Sequence, residues 1–300
     1  MLKVRPSFFD RFACTASRCE HNCCIGWEID VDPASRARYA AVGGALGEEL
    51  AAKISDGEEP HFLLDADGRC PFLNGDNLCR LILSLGEGAL CAICREHPRF
   101  YNCFPGREEA GLGLCCEEAV RLLVNETDFT LIEEDDGGDG ERDEWTEQLA
   151  ALREEIYSIT RRSEGSFLRR MEAALALLGT ERPAFCAREW AAFLLTLERM
   201  DERWTEELRL LAETPDTLDM EKPLDDPRYG KIFRYLLYRH LITAEDEADA
   251  RRLLRFCALA VLLLCALDLA EPERKNEHLR LWSAEIEYSD ENIRKICAML

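Results

Sequence analysis

The chain has 300 residues, 47% of them hydrophobic, and a formal charge of −22. It therefore has the apolar content for a packed core and the length for one large domain or two smaller ones. An acidic excess of this size argues against general affinity for nucleic acid or an anionic membrane, both of which need clustered Lys and Arg; it suits solubility or a cationic partner.

In chain order, the first twelve residues carry Lys3, Arg5, Asp10 and Arg11 and no apolar core of signal-peptide length. The expectation is a cytoplasmic protein with reduced thiols, and an odd count of fifteen cysteines would leave one over in any full disulfide scheme. Eleven of the fifteen precede residue 117. The first block is Cys14, Cys19, Cys23 and Cys24, after which the alternation through Asp30 predicts a short strand with Trp27 and Ile29 on one face. The second is Cys70-Pro71-Phe72-Leu73, a turn at Asn74 to Asn77, and Cys79. The third is Cys91-Ala-Ile-Cys94-Arg95-Glu96-His97-Pro98-Arg99, followed later by Cys115 and Cys116. One C-x-x-C means little. Three blocks in about a hundred residues point to a soft metal or an iron–sulfur cluster, which thiolates at short, irregular spacings are suited to hold. On a strand, the adjacent Cys23 and Cys24 would face opposite ways and so not share one metal. His21 and His97 are possible imidazole ligands among surplus thiols, and Glu28, Asp30 and Asp32 read as a solvated strand face.

Residues 133–147 are acidic at nine of fifteen positions and interrupted by Gly137, Gly138 and Gly140, the composition of a linker. The expected organisation is a Cys-rich module with short strands and turns at 1–132, a linker at 133–147 and an all-helical domain at 148–300, a mainly α protein. Helical spacing of apolar residues predicts helices over Trp145–Thr160, Ser166–Leu178, Phe185–Ala212, Tyr229–Ile242, Glu245–Ala270 and Asp290–Met299, the last capped by Ser289 or Asp290. Phe256 to Leu267 is uncharged but too short to span a bilayer and reads as a buried helix. Cys186, Cys257, Cys265 and Cys297 within these stretches read as core.

The stretch Glu109-Ala110-Gly111-Leu112-Gly113 is a poor match to a nucleotide-binding glycine loop, and no βαβ alternation surrounds it. Cys19-x3-Cys23 is followed by Gly26 where a radical-adenosylmethionine motif needs a third Cys.

The pattern from Cys14 to Trp27, the Cys70-Pro-Phe-Leu block, the Leu90-Cys-Ala-Ile-Cys-Arg block and the segment Trp282-Ser-Ala-Glu-Ile-Glu-Tyr-Ser289 with Glu291-Asn292 resemble the bacterial flagellin lysine-N-methylase family. The first two blocks are also similar to small Cys-rich proteins of the zinc- or iron-chelating type. The resemblance implies methyl transfer from S-adenosylmethionine to flagellin lysines, with an iron–sulfur cluster, 4Fe–4S by preference and zinc the alternative. The family pattern falls on Cys14, Cys19, Cys23, Cys24, Cys70, Cys79, Cys91, Cys94 and Cys116, with Cys103 and Cys115 as additions. Where the family reads Ser-Cys-Pro-Glu this chain has Cys115-Cys116-Glu117-Glu118, so Cys115 is an alternative ligand there. Cys19, Cys23, Cys24 and Cys94 are the first-choice ligands, then Cys70, Cys79 and Cys116. Nine matched thiols exceed the four that one centre needs, so some are structural or there are two sites. Arg95 and Arg99 are candidate forks for the cofactor's carboxylate. Trp27, Phe100 and Tyr101 are candidate aromatic walls around the acceptor lysine, which must be neutral to attack. No catalytic residue stands out. The rival expectation is a non-catalytic metal-binding module whose helical half docks a protein partner.

Overall fold

The structure, a computed structural model, describes residues 1–137, 141–215 and 218–300. Contacts group the chain into two compact units: residues 13–100 with 116–118, here the thiol unit, and residues 1–12, 101–115 and 119–300, here the helical unit. In chain order the elements are β1 (Leu2–Pro6), α1 (Pro33–Ala40), α2 (Gly44–Lys53), α3 (Arg80–Leu85), α4 (Ala92–Glu96), β2 (Arg99–Phe104), β3 (Arg107–Leu112), α5 (Glu117–Asn125), β4 (Leu131–Asp135), α6 (Glu144–Arg161), α7 (Phe167–Ala176), α8 (Ala187–Leu194), α9 (Glu202–Glu213), α10 (Glu221–Leu224), α11 (Pro227–His240), α12 (Glu247–Ala270), α13 (Lys275–Trp282) and α14 (Asp290–Met299). The protein is mainly α.

In the helical unit, side-chain caps set where helices begin. Asp143, Asp226 and Asp246 each accept a backbone N–H from the first turn of α6, α11 and α12, and Ser289 accepts from Asn292 at the start of α14. Pro227 follows its cap at N1, where the absent amide costs nothing. α12 is the core: from Phe256 to Leu267 every residue is buried. It is the one helix among the described residues long and apolar enough to cross a membrane by composition, and it lies mostly inside the fold.

The four strands form one sheet in the order β2-β3-β1-β4. β1 runs parallel to β3, with Leu2 opposite Arg107 and Val4 opposite Glu109, and antiparallel to β4. Tyr238 on α11 donates to the carbonyls of Val4 and Ala110, each at 2.9 Å, and Tyr235 donates to Leu112 at 3.1 Å. Buried Glu109 accepts from Arg107 at 2.7 Å and from Arg153 on α6 at 2.6 and 2.8 Å, so the strand's charge is met inside the core.

The structure departs from the sequence reading in four places. Residues 133–135 finish β4 and α6 begins at Glu144, so the acidic stretch read as a linker carries structure at both ends; Gly138 and Gly140 lie outside the described residues. Its acids are exposed on an edge strand, where charge deters pairing with another chain. Second, β1 and β3 belong to the helical unit rather than to the Cys-rich part. Third, the helix expected over Phe185–Ala212 is two, α8 and α9, because Glu285 accepts the backbone N–H groups of Met200 at 2.8 Å and Asp201 at 2.9 Å and so stabilises the break. Fourth, no strand follows Cys24: Ile25 and Asp30 make single bridges to Arg69 and His61, leaving Ile29 buried and Trp27 half-buried.

Candidate metal centre

All nine cysteines of the family pattern lie in the thiol unit, whereas Cys103, Cys115, Cys186, Cys257, Cys265 and Cys297 lie in the helical unit. None of the fifteen forms a disulfide.

Within the thiol unit, Cys24, Cys70, Cys79, Cys91 and Cys94 share one apolar cluster with Ile29, Val31, Tyr39, Leu50, Phe62, Phe72 and Leu81. Local pairing brings them there. Cys70 N–H donates to Cys24 O at 2.8 Å, Leu73 bridges to Cys79, and Arg80 N–H donates to Phe72 O at 2.7 Å. Cys91 and Cys94 are held by α4, whose first amide, Ala92 N–H, donates to Asp32 at 2.8 Å. The same carboxylate accepts Ser35 N–H at 2.9 Å and Ser35 Oγ–H at 2.6 Å at the start of α1, and the Ser35 and Ala92 hydrogen bonds hold its pKa below the usual carboxylate range. Asp32 is thus a double helix cap rather than part of a solvated face.

Burial and the neighbouring thiols set the ionisation of this inner group. Burial pushes Cys70 up to about 12 and raises Cys79, with the neighbouring thiols adding to both. The sulfurs of Cys91 and Cys94 share a hydrogen bond at 3.3 Å, which lowers Cys91 and raises Cys94. Cys24 is lowered by a hydrogen bond from Cys23 against its own burial, with Arg69 assisting. A bound cation would reverse the cost of ionising this set.

Cys14, Cys19, Cys23 and Cys116 also act on one another: Cys19 feels Cys116, and Cys23, raised first by its hydrogen bond with Cys24 and by burial, feels Cys14 and Cys116 as well. Burial, then the Glu117 carboxylate, pushes Cys19 up to about 11. Glu117 ties the group together: it accepts Glu20 N–H at 3.1 Å and His21 N–H at 3.1 Å, and lies 3.0 Å from His21 Nδ1. Cys23 and Cys24, adjacent in a turn, share a hydrogen bond that raises Cys23 and lowers Cys24, so the two groups meet there.

The remaining expected site residues are spread out. Arg95 is exposed and paired with Glu96 at 3.2 Å, and Arg99 opens β2 half-buried. His97 is half-buried and pushed down to about 4 by burial, which favours a neutral imidazole. Phe100 is half-buried and Tyr101 exposed. Glu28 and Asp30 are exposed, as a solvated face requires. The Gly111–Gly113 stretch is β3 and its end; a side chain at Gly113 would meet Tyr288 Oη at 1.9 Å, so this glycine serves packing, not phosphate binding. Cys115 is buried beside Tyr288. Sequence reading missed a cavity of about 250 Å³ whose lining includes Arg36, Tyr39, Ser55 and Asp56. Tyr39 also feels the charges of Cys91, Cys94 and Cys79, and no motif marks it.

In the helical unit, Glu207, Glu271 and His278 bring three ligand atoms within 4.8 Å of one another, a closure no three thiols reach among the described residues. Arg274 already sits on both carboxylates, 2.7 Å from Glu207 and 3.2 Å from Glu271. The family-like segment around Trp282 forms a π-helical turn over Ser283–Glu287. It is buried and fastened by Asn292, which donates to Glu198 O at 3.0 Å and Glu285 O at 2.8 Å.

A mainly α protein with a separate unit rich in clustered thiols is the class that fold and site define. The chain is 30% identical over 138 residues to the flagellar biosynthetic protein FliU of Salmonella muenchen, covering 44% of this chain and 82% of that protein. It is also 30% identical to a lysine-N-methylase of Salmonella typhimurium and 29% identical to one of Salmonella choleraesuis, in each case over 44% of this chain and 34% of the relative. The match thus spans about a third of the length of those lysine-N-methylases. The chain belongs to the FliU and lysine-N-methylase family. No family model and no solved structure matches it.

Proposed function

We propose that the chain transfers methyl groups from S-adenosylmethionine to lysine side chains of flagellin, in the cytoplasm, with a thiolate-ligated iron–sulfur centre in the thiol unit. The observation that carries this reading is family membership, with two relatives named lysine-N-methylase and a third named for flagellar biosynthesis. The donor set supports the metal: nine thiols in one unit are soft ligands in number and kind.

S-adenosylmethionine supplies the methyl group. The protein has to present a neutral amine whose lone pair attacks the methyl carbon as the carbon–sulfur bond breaks and a proton leaves the nitrogen. A carboxylate beside the amine would hold it protonated, so apolar, aromatic surroundings are the suitable device. Trp27 and Phe100 in the thiol unit have that character. Arg95 and Arg99 are the forks assigned to the cofactor's carboxylate.

The test combines anaerobically purified protein, S-adenosylmethionine and flagellin of the same organism, with methyl-lysine read by mass spectrometry. Methylated lysines are expected, with the rate falling as salt screens attraction between acidic enzyme and basic substrate over about 10 Å at 0.1 M. Metal-replete protein that neither methylates nor binds S-adenosylmethionine would favour the second reading, a metal-binding module that docks a protein partner. That reading draws on coverage, since the match takes in most of FliU but only 34% of a lysine-N-methylase.

A further inference from the structure

We propose that Glu207, Glu271 and His278 form a site in the helical unit for one oxygen-preferring divalent cation of the Mn2+ or Fe2+ kind, with Asp268 as its orienting group and Arg274 as the cation it exchanges for. The proposal is independent of the thiol unit and of methyl transfer. The three ligands come from separate elements: Glu207 from α9, Glu271 from the residue that ends α12, and His278 from α13. Each nonetheless brings one ligand atom within 4.8 Å of the other two. Two ligands at about 2.1 Å from one ion stand at most about 4.2 Å apart, so a small inward movement closes the set.

Three features separate these residues from an ordinary surface ion pair. Glu207 and His278 are buried, yet among the described residues neither carboxylate oxygen of Glu207 nor Nε2 of His278 makes a well-angled hydrogen bond. What faces them is charge: Arg274 Nη1 lies 2.7 Å from Glu207 and 3.2 Å from Glu271, marking the point between the carboxylates where a cation settles, and His278 Nε2 lies 3.2 Å from the other oxygen of Glu207. Second, His278 Nδ1 lies 2.7 Å from Asp268, which also accepts the Tyr229 hydroxyl at 2.9 Å. A carboxylate on one ring nitrogen fixes the tautomer and plane of a ligating histidine and leaves the other nitrogen for metal. Third, the side chains of Glu271 and Arg274 are 33% and 34% exposed, so an ion can enter on that side and the guanidinium can swing out by it. Charge is conserved in the exchange. The ion's two positive charges replace Arg274 and the Nε2 proton of His278, which passes to solvent, and no buried carboxylate is left uncompensated. Two carboxylates and one imidazole suit Mn2+ or Fe2+, whereas thiolates select softer ions, so the cysteines do not compete for it.

The test titrates Mn2+ into the full chain at moderate salt, with free ion followed by electron paramagnetic resonance and the fold of each variant checked by circular dichroism. One firmly held Mn2+ per chain is expected. Glu271→Gln, at the least buried of the three ligands, should weaken binding about tenfold or more, and Asp268→Asn by about as much. Arg274→Met should tighten it about tenfold, because a like charge has left the site. A rise in the unfolding midpoint with Mn2+ should accompany binding and disappear in Glu271→Gln. Wild-type protein that binds no Mn2+ would overturn the proposal. So would binding that Glu271→Gln leaves unchanged, the mark of loose attraction to an acidic surface. Binding no tighter in Arg274→Met would also overturn it and leave these groups as a structural ion-pair network.

Discussion

Cys91 in the thiol unit and Cys257 in the helical unit both have no solvent exposure, yet their surroundings differ in kind. Cys257 lies on α12 in a run of Phe, Ala, Leu and Val, and burial, with the charges of Glu287 and Cys297 adding to it, raises it well above the ordinary thiol range, the state of an inert hydrophobe. Cys91 has Cys94 at 3.3 Å, and that hydrogen bond lowers it despite burial. Burial raises both thiols, and only Cys91 has a hydrogen-bonding thiol that overrides it. The helical unit obtains its stability from packed side chains, and the thiol unit, with a smaller apolar cluster, is expected to obtain much of its own from what the sulfurs hold.

The sharpest way to break that comparison is to remove one sulfur from each unit. Cys94→Ala is expected to lose metal and unfold the thiol unit, since metal binding in small sites supplies on the order of 10 kcal/mol of folding free energy. Cys257→Ala should keep the full metal content and cost about 1 kcal/mol. Elemental analysis with thermal unfolding of both variants decides the matter, and equal metal loss would refute the contrast. Next in size is Arg153→Met, which leaves buried Glu109 with Arg107 as its only remaining arginine among the contacts described. A loss of about 3 kcal/mol in the helical unit is expected, with metal retained, read from urea unfolding.

A smaller effect comes from His278, buried with Nδ1 at 2.7 Å from Asp268 and Nε2 at 3.2 Å from Glu207. Burial works to lower its pKa but is outweighed by these two carboxylates, which bring it up to about 8 from 6.5. Glu271 lies within 4.8 Å as well, Arg274 sits on both Glu207 and Glu271, and Tyr229 and Arg228 contact Asp268. A raised folded-state pKa means the imidazolium contributes stability that is fully present below about pH 6.5 and is lost as pH rises through about 8. The loss is of the order of 2 kcal/mol and should vanish in His278→Gln, as followed by unfolding midpoints between pH 6 and 9. The smallest effect is Ser289→Ala, which removes the acceptor for Asn292 N–H at 3.2 Å and should cost about 1 kcal/mol without touching metal.

The two units also differ in how much of them is legible in sequence. Helices α6, α7, α11, α12 and α14 follow from apolar spacing and punctuation, because each buries a face that the 3.6 period marks. The break between α8 and α9 does not, since no Gly or Pro sits there and the stabilising carboxylate, Glu285, comes from 84 residues away. α13 escaped for the opposite reason: it buries His278 and Arg280 among its apolar residues, and charged groups in a core blur the pattern. In the thiol unit the concentration of cysteines is plain from composition. Which thiols meet is not, because the Cys70 and Cys79 segments approach through single bridges at Arg69 and Leu73 that leave no periodic trace. Glu117 likewise looks like one acid among many until its carboxylate is seen holding Glu20 and His21.

The first strand has a consequence for the order in which the chain is assembled. β1 finds its parallel partner only at Arg107, and the tyrosine that caps its Val4 carbonyl is 234 residues further on. Residues 13–100, all of the thiol unit but its last three residues at 116–118, are thus synthesised while β1 is still without a neighbour. Loops of such length close slowly, and synthesis runs from the amino end. The thiol unit, whose contacts are mostly made among residues 13–100, is therefore expected to fold ahead of the helical unit, whose sheet waits for the far end of the chain.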